Sequence, residues 1–114
     1  MLQISSTSKI YFSKNGVDFR SGIEKLSGYC RNHLMINPMN GAYFVFKNKT
    51  GKQLKILHYD GVGYFLCIRR FSKGKLSWWP KREINQMDVR ELQILLFGGN
   101  PETAQFPEFW KKIE

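Results

Sequence analysis

A chain of 114 residues, 42% of them hydrophobic and 15% aromatic, carries enough apolar material for one core and too little length for a second folded unit; a single domain over residues 1–114 is expected, and a disordered polyelectrolyte is excluded. The formal charge of +9 is unevenly placed: residues 47–82 hold ten basic side chains against Asp60 alone, while the remaining 78 residues sum to zero. One sign concentrated in one third of the chain is the sequence footprint of a surface for a polyanion, the alternative being an ordinary solvated basic face.

In chain order, residues 9–12 read as a short strand. Asn15-Gly16 marks a turn, and Asp18 is placed to cap a helix whose buried stripe is Phe19, Ile23, Leu26, Cys30 and His33/Leu34. Asn37-Pro38 ends that helix. From residue 42 the pattern changes to aromatic and β-branched runs separated by turn formers. Residues 42–48, 53–59 and 64–71 form an antiparallel meander joined by Lys49-Thr50-Gly51-Lys52 and Asp60-Gly61-Val62-Gly63. A fourth strand, residues 76–79, follows Ser72-Lys73-Gly74-Lys75 and stops at Pro80. Asp88 and Glu91 make a D-x-x-E start signal; Val89, Leu92, Leu95 and Leu96 give the stripe of a second helix, which Gly98-Gly99 closes. Residues 99–114 are a C-terminal tail whose Phe106, Phe109 and Trp110 are expected to dock on the body.

A hairpin turning at Thr50-Gly51 puts Phe44, Phe46, Lys55, Leu57 and Tyr59 on one sheet face and Tyr43, Val45, Lys47, Ile56 and His58 on the other. Both faces are partly apolar. One must pack on the helices, leaving the other for the tail, a partner or a nucleic acid. The expected fold class is α+β, an antiparallel meander of about four strands packed with two principal helices, with a basic surface on the sheet.

Little in the chain points to catalysis. Metal-dependent strand transfer needs several carboxylates converging on paired cations, yet Asp18 and Asp88 sit at helix starts and Asp60 is a turn former beside Gly61. Cys30 and Cys67 stand 37 positions apart with no CxxC, which suggests buried thiols and no zinc site or disulfide. His33 and His58 leave a Cys30/His58 or Cys67/His33 nucleophile pair as the enzymatic alternative. No phosphate-cradling or dinucleotide motif occurs. The chain is therefore read as not an enzyme, with no metal and no cofactor. Its start, Met1-Leu2-Gln3-Ile4-Ser5-Ser6, lacks a signal segment, and no run nears the roughly 18 apolar residues of a membrane span, so a cytoplasmic protein without membrane contact is expected.

The strongest local constellation interleaves bases with aromatics, from Phe46-Lys47-Asn48-Lys49 through Arg69-Arg70-Phe71 to Trp78-Trp79-Pro80-Lys81-Arg82. Cations neutralise phosphates and exposed rings stack on bases, a combination found in single-strand binders. Phe44, Phe46, Tyr64 and Phe65 fit better as core residues alternating with exposed bases; Trp78, Trp79 and Arg70 fit either role.

An ordered series runs through the chain: Asp18-Phe19-Arg20-Ser21-Gly22-Ile23-Glu24-Lys25-Leu26, Asn37-Pro38 with Gly41, Phe44-Val45-Phe46-Lys47-Asn48-Lys49, Lys55-Ile56-Leu57, Tyr59-Asp60-Gly61-Val62-Gly63-Tyr64, Arg69-Arg70, Gly74, Trp79-Pro80 and the segment 92–98. Over residues 8–98 it resembles the TnpB accessory protein of the sixty-six-type bacterial insertion sequences, which is distinct from the RNA-guided nucleases sharing the TnpB name. Two positions depart: Ser21 stands where the family commonly has a second basic residue, and Arg70-Phe71 replaces Arg-Leu. The resemblance implies a non-catalytic accessory protein encoded beside a separate, larger transposase. Joined to the charge pattern, it gives two readings. In the first, Lys47, Lys49, Lys52, Lys55, Arg69, Arg70, Lys73 and Lys75 contact DNA phosphates, with transposon ends as a candidate target. In the second, the basic sheet docks on the element-encoded transposase as a protein adaptor, with Trp78-Trp79 and the tail as its contact core.

Overall fold

Two side chains shape the hairpins at the centre of the fold. The computed structural model describes residues 4–20 and 22–100, in the order β1 (Ile10–Phe12), α1 (Ile23–Tyr29) with a π-helical turn continuing it over Cys30–Leu34, β2 (Tyr43–Lys47), β3 (Gln53–Tyr59), β4 (Tyr64–Arg70), β5 (Gln86–Met87) and α2 (Val89–Leu96). Between β2 and β3, Asn48 Oδ1 accepts from the backbone N–H groups of Lys52 and Gln53 at 2.9 and 3.1 Å, and Gly51 takes φ +75°, where a Cβ would be strained. Between β3 and β4, Asp60 Oδ1 accepts from the N–H groups of Gly63 and Val62, both at 2.9 Å. These two bonds, Gly63 first, hold the Asp60 carboxyl below its ordinary range.

The hairpin register pairs Tyr43 with His58, Phe44 with Leu57, Val45 with Ile56 and Phe46 with Lys55, which gives the face partition expected from the Thr50-Gly51 turn. Around this meander the sheet is larger than four strands and mixed, in the order β4-β3-β2-β1-β5. β1 lies parallel to β2, as a strand joined to its neighbour through a crossover helix must, and β5 is antiparallel to β1. The segment 76–79 is not the fourth strand. Its Leu76 N–H reaches the Gly51 carbonyl at 2.8 Å, and the Trp79 indole N–H reaches the Ser13 carbonyl at 2.9 Å. The segment thus straps one end of the sheet from the β2–β3 turn to the end of β1, and burial of Trp79 outweighs the strand preference of the run.

Each helix covers a different face. On one, Phe44, Phe46 and Leu57 pack with Val17, Leu26 and Cys30; on the other, Tyr43, Val45, Leu54 and Ile56 pack with Ile10, Phe12, Trp79, Met87, Leu92 and Leu95. The central part of both faces is therefore occupied by core, and a basic sheet face does not form. Cys30 is fully buried, and desolvation pushes its thiol up to about 12 from an ordinary 9.0.

α2 begins as expected: Asp88 Oδ1 accepts from Glu91 N–H at 2.8 Å while Glu91 Oε1 accepts from Asp88 N–H at 3.0 Å. It closes at Gly98, φ +76°, where Gly98 N–H bonds the Leu95 carbonyl and Gly99 N–H the Ile94 carbonyl. α1 departs from expectation, for its N-cap is Gly22 with no side-chain cap. Asp18 does not cap it, because the Val17 N–H is bonded to the Lys47 carbonyl at 2.9 Å and holds the chain against β2. Asp18 instead accepts from the Arg20 backbone N–H at 2.9 Å and from its guanidinium at 2.7–3.1 Å. The Arg20 side chain foremost, then its backbone N–H, hold the Asp18 carboxyl well below the usual carboxylate range. The helix ends at Met35, φ +58°, ahead of Asn37-Pro38. Phe106, Phe109 and Trp110 of the expected docking tail lie outside the described residues.

Candidate nucleic-acid interface

Most of the cationic third of the chain gathers at one end of the sheet, because the β2–β3 turn and the segment after β4 leave the sheet at the same end. Phe71 N–H bonds the Lys52 carbonyl at 3.1 Å and Leu76 N–H the Gly51 carbonyl at 2.8 Å, so the loop 72–75 is tethered at both sides to the β2–β3 turn. Exposed Lys49 and Lys52 from the turn are thereby grouped with exposed Arg70, Lys73 and Lys75. A cleft of about 260 Å³ lies within this group, lined by Lys47, Lys49, Thr50, Lys75, Ser77 and half-buried Trp78, among others. A neighbouring cleft, on the other side of Lys49 and Thr50, is lined also by Asp18, Phe19, Arg20, Asn48 and Gln53. Asp18 lines this second cleft, but its oxygens are already engaged by Arg20, the main cause of its lowered pKa, to which Lys49 adds least.

Backbone packing fixes this end in shape. The Gly16 position sits so close that a Cβ there would lie 2.8 Å from Lys49 Cα and 3.0 Å from the Asn48 carbonyl oxygen. Asn48 in turn holds the β2–β3 turn, and the Ser77 hydroxyl donates to the Gly98 and Gly99 carbonyls at 3.0 and 3.2 Å, tying the strap to the end of α2. The lysines therefore project from a braced frame, which lowers the ordering cost of presenting them together.

Not every predicted contact residue is at this surface. Lys55 is 6% exposed, on the apolar face opposite Phe46; its ammonium donates to the Phe19 carbonyl at 3.0 Å and lies 4.7 Å from the centre of the Phe19 ring. That burial takes Lys55 out of the exposed cations, among which the sequence had placed it as a phosphate contact. Arg69 is exposed, but its Nε donates to the Leu96 carbonyl at 3.0 Å and its guanidinium lies 5.8 Å from the Phe97 ring centre, so it serves the carbonyl end of α2. Trp79 is 8% exposed, edge-on to Phe12, with the Lys47 ammonium 5.6 Å from its ring centre. It is a core anchor, unavailable both for stacking on a base and as an adaptor's contact core. Arg82 is engaged by Glu91 at 2.7 and 2.9 Å. Thr50 and Ser77, which sequence reasoning passed over, line the cleft; only the proximity of the two loops reveals them.

The histidines and cysteines are kept apart by the sheet. Cys30 belongs to the core on one face, whereas His58 stacks on Tyr43, which packs on the other, at 4.1 Å. Cys67 packs towards the Tyr43 face, whereas His33 stacks on Tyr29, at 4.3 Å, on the helical side of the opposite face. Among the described residues no group of three or more His, Cys, Asp or Glu side chains could hold a metal ion, and no helix is long and apolar enough to cross a membrane.

Comparison with known proteins agrees with the ordered motifs. No solved structure matches the chain. It is 30% identical over 111 residues to the uncharacterized protein y4hO of Sinorhizobium fredii (strain NBRC 101917 / NGR234), covering 97% of this chain and 96% of that protein. To the uncharacterized protein y4jC of the same strain it is 29% identical over 91 residues, covering 79% and 78%. Residues 8–106, spanning every strand and helix described above, match the family described as IS66 Orf2 like protein, TnpB_IS66, and the chain belongs to this family of insertion-sequence accessory proteins.

Proposed function

We propose that this accessory protein binds DNA during transposition through the basic end of its sheet, and that it does so without catalysing strand cleavage or transfer. The observation that carries the reading is the grouping, at one end of the sheet, of Lys47 and Arg70 from the strand ends with Lys49, Lys52, Lys73 and Lys75 from two tethered loops, beside a cleft that Lys47, Lys49, Lys75 and half-buried Trp78 line. Cations held together by a braced backbone suit a row of phosphates, and the Thr50 hydroxyl adds a short donor beside them. Phosphate contacts confer affinity and position but little sequence information, so recognition of transposon ends would need a further element. The non-catalytic part of the proposal is supported by the occupation of Asp18, Asp60 and Asp88 in local backbone bonds and by the separation of both Cys/His pairs across the sheet.

Fluorescence anisotropy with labelled duplex and single-stranded DNA tests this reading at two or more salt concentrations. If four phosphates are neutralised, the log–log slope of affinity against salt is about −3.6 for duplex. A Lys49/Lys52/Lys73/Lys75→Ala variant that keeps the parent's fold should lose most of the binding and flatten that slope. Affinity indifferent to salt, or retained in the folded variant, refutes the DNA surface. Absence of binding at low salt moves the transposase to the front as partner, with the same basic end as the docking region.

A further inference from the structure

The two edges of the sheet are treated differently. Among the described residues, β5 closes one edge with two residues, whereas β4 leaves the other edge as seven consecutive residues, Tyr64–Arg70, in continuous register with β3 and without a bulge or proline. Its apolar side chains are open to solvent: Ile68 is 59% exposed and Phe65 39%. Long, regular, apolar edges are templates for another strand, and soluble proteins normally interrupt them.

We propose that β4 pairs with the β4 of a second copy of this chain, antiparallel, about a two-fold axis at Cys67. The register follows from hydrogen-bond parity, and the self-complementary side chains that this register sets opposite one another select a second copy as the occupant. Asp60 N–H bonds the Gly63 carbonyl and Phe71 N–H bonds the Lys52 carbonyl, so positions 63 and 71 are turned towards β3. Alternation along an antiparallel strand then turns 65, 67 and 69 towards β3 and leaves the backbone groups of Tyr64, Leu66, Ile68 and Arg70 pointing outward. A dyad at Cys67 pairs Leu66 with the partner's Ile68, and Tyr64 with the partner's Arg70, as hydrogen-bonded pairs of outward-facing residues. All seven residues are used. Dyads at 66 or 68 shorten the ladder, and those between residues set outward groups against inward ones.

The side chains complement one another in the same register. Each copy contributes one Leu66–Ile68 contact and places the Arg70 guanidinium beside the partner's Tyr64 ring, avoiding an arginine–arginine clash. The two Cys67 residues form a non-hydrogen-bonded pair, whose Cα atoms approach to about 4.5 Å. A closed two-fold pair uses up both exposed edges and so stops at a dimer. Net charge opposes the association, since each chain carries +9; added salt therefore strengthens it, opposite to the salt dependence of a DNA complex.

Sedimentation equilibrium of the wild-type chain and of Ile68→Lys, at moderate salt, tests the proposal, with a short bis-maleimide as a probe of the register. Ile68 is exposed, so its lysine variant should retain the parent's thermal unfolding. The expected result is a concentration-dependent dimer whose dissociation constant rises about tenfold or more in Ile68→Lys, since both symmetric contacts are lost. The bis-maleimide should link wild-type dimers and fail in Cys67→Ser. A chain that stays monomeric at every concentration and salt, or a dimer that Ile68→Lys leaves intact, overturns the pairing. A dimer weakened by Ile68→Lys but never linked through Cys67 overturns the register.

Discussion

Replacing Trp79 by Phe separates a core anchor from a base-stacking residue. The indole donates to the Ser13 carbonyl at 2.9 Å, and Ser13 is fully buried, so the variant leaves that carbonyl without its indole donor. Loss of a buried partner costs about 1–3 kcal/mol. The smaller ring also leaves a gap beside Phe12, in the core cluster that Trp79 shares with Val45 and Leu95, that packing refills only in part, adding about 1 kcal/mol. A total of about 2–4 kcal/mol corresponds to a fall in Tm of roughly 8–16 °C at this chain length. Urea denaturation followed by fluorescence of the remaining tryptophans and by circular dichroism would measure it. Because Trp79 fastens the strap bearing Lys75, Ser77 and Trp78, DNA affinity well below the melting temperature should fall only a few-fold, equally for duplex and single strand. If instead stability changes by less than about 0.5 kcal/mol and single-strand affinity alone collapses, Trp79 is a stacking residue and the anchoring argument is wrong.

Further outcomes follow from the same geometry. Lys49→Ala should weaken DNA binding and reduce the salt slope by about 0.9, whereas Lys55→Met should leave both within error while changing the unfolding midpoint; titrations of the two variants side by side check the contrast. Asp88→Ala breaks the capping box and should destabilise the fold by about 1 kcal/mol without altering DNA affinity, as read from urea midpoints and anisotropy. Cys30, pushed up to about 12 by burial, should resist alkylation at pH 8 under native conditions, while half-buried Cys67 reacts first; peptide mapping after timed labelling distinguishes them. Since its folded pKa exceeds the unfolded one, the Cys30 contribution to stability is complete below about pH 9 and is lost between pH 9 and 12. A Cys30→Ala variant should therefore show a shallower decline across that window.

What the sequence determined by itself is the part of the fold governed by local periodicity and turn chemistry. Asn48-to-Gln53 and Asp60-to-Gly63 name their own hairpins, and the period-two alternation then assigns Phe44, Phe46, Lys55 and Leu57 to a common face. The Asp88/Glu91 box and Gly98 likewise bound α2 with groups only a few residues apart. The ordered motifs were enough to reach the insertion-sequence family that residues 8–106 match. The alternation also held a signal that the charge count obscured: a lysine between Leu54 and Ile56, on the Phe46 side of the strand, faces core.

Only the tertiary structure decided where the ends of these elements meet. Parallel pairing of β1 with β2, the union of Gln86–Met87 with β1, and the reach of Trp79 to Ser13 span up to 77 residues, and such contacts have no local sequence period. Asp18 shows the same competition at short range: its residue type suits a cap, but the bond from Val17 to Lys47 holds it away from the helix, and Arg20 takes its carboxylate instead. The basic surface is set in this way too. Charge density along the chain told that a cationic region exists, but packing of a helix on each sheet face left the loop end as the place where its lysines emerge together. Local rules act over a few residues through fixed backbone geometry, whereas the choice among distant partners is made by the burial of apolar surface, which depends on the whole fold at once.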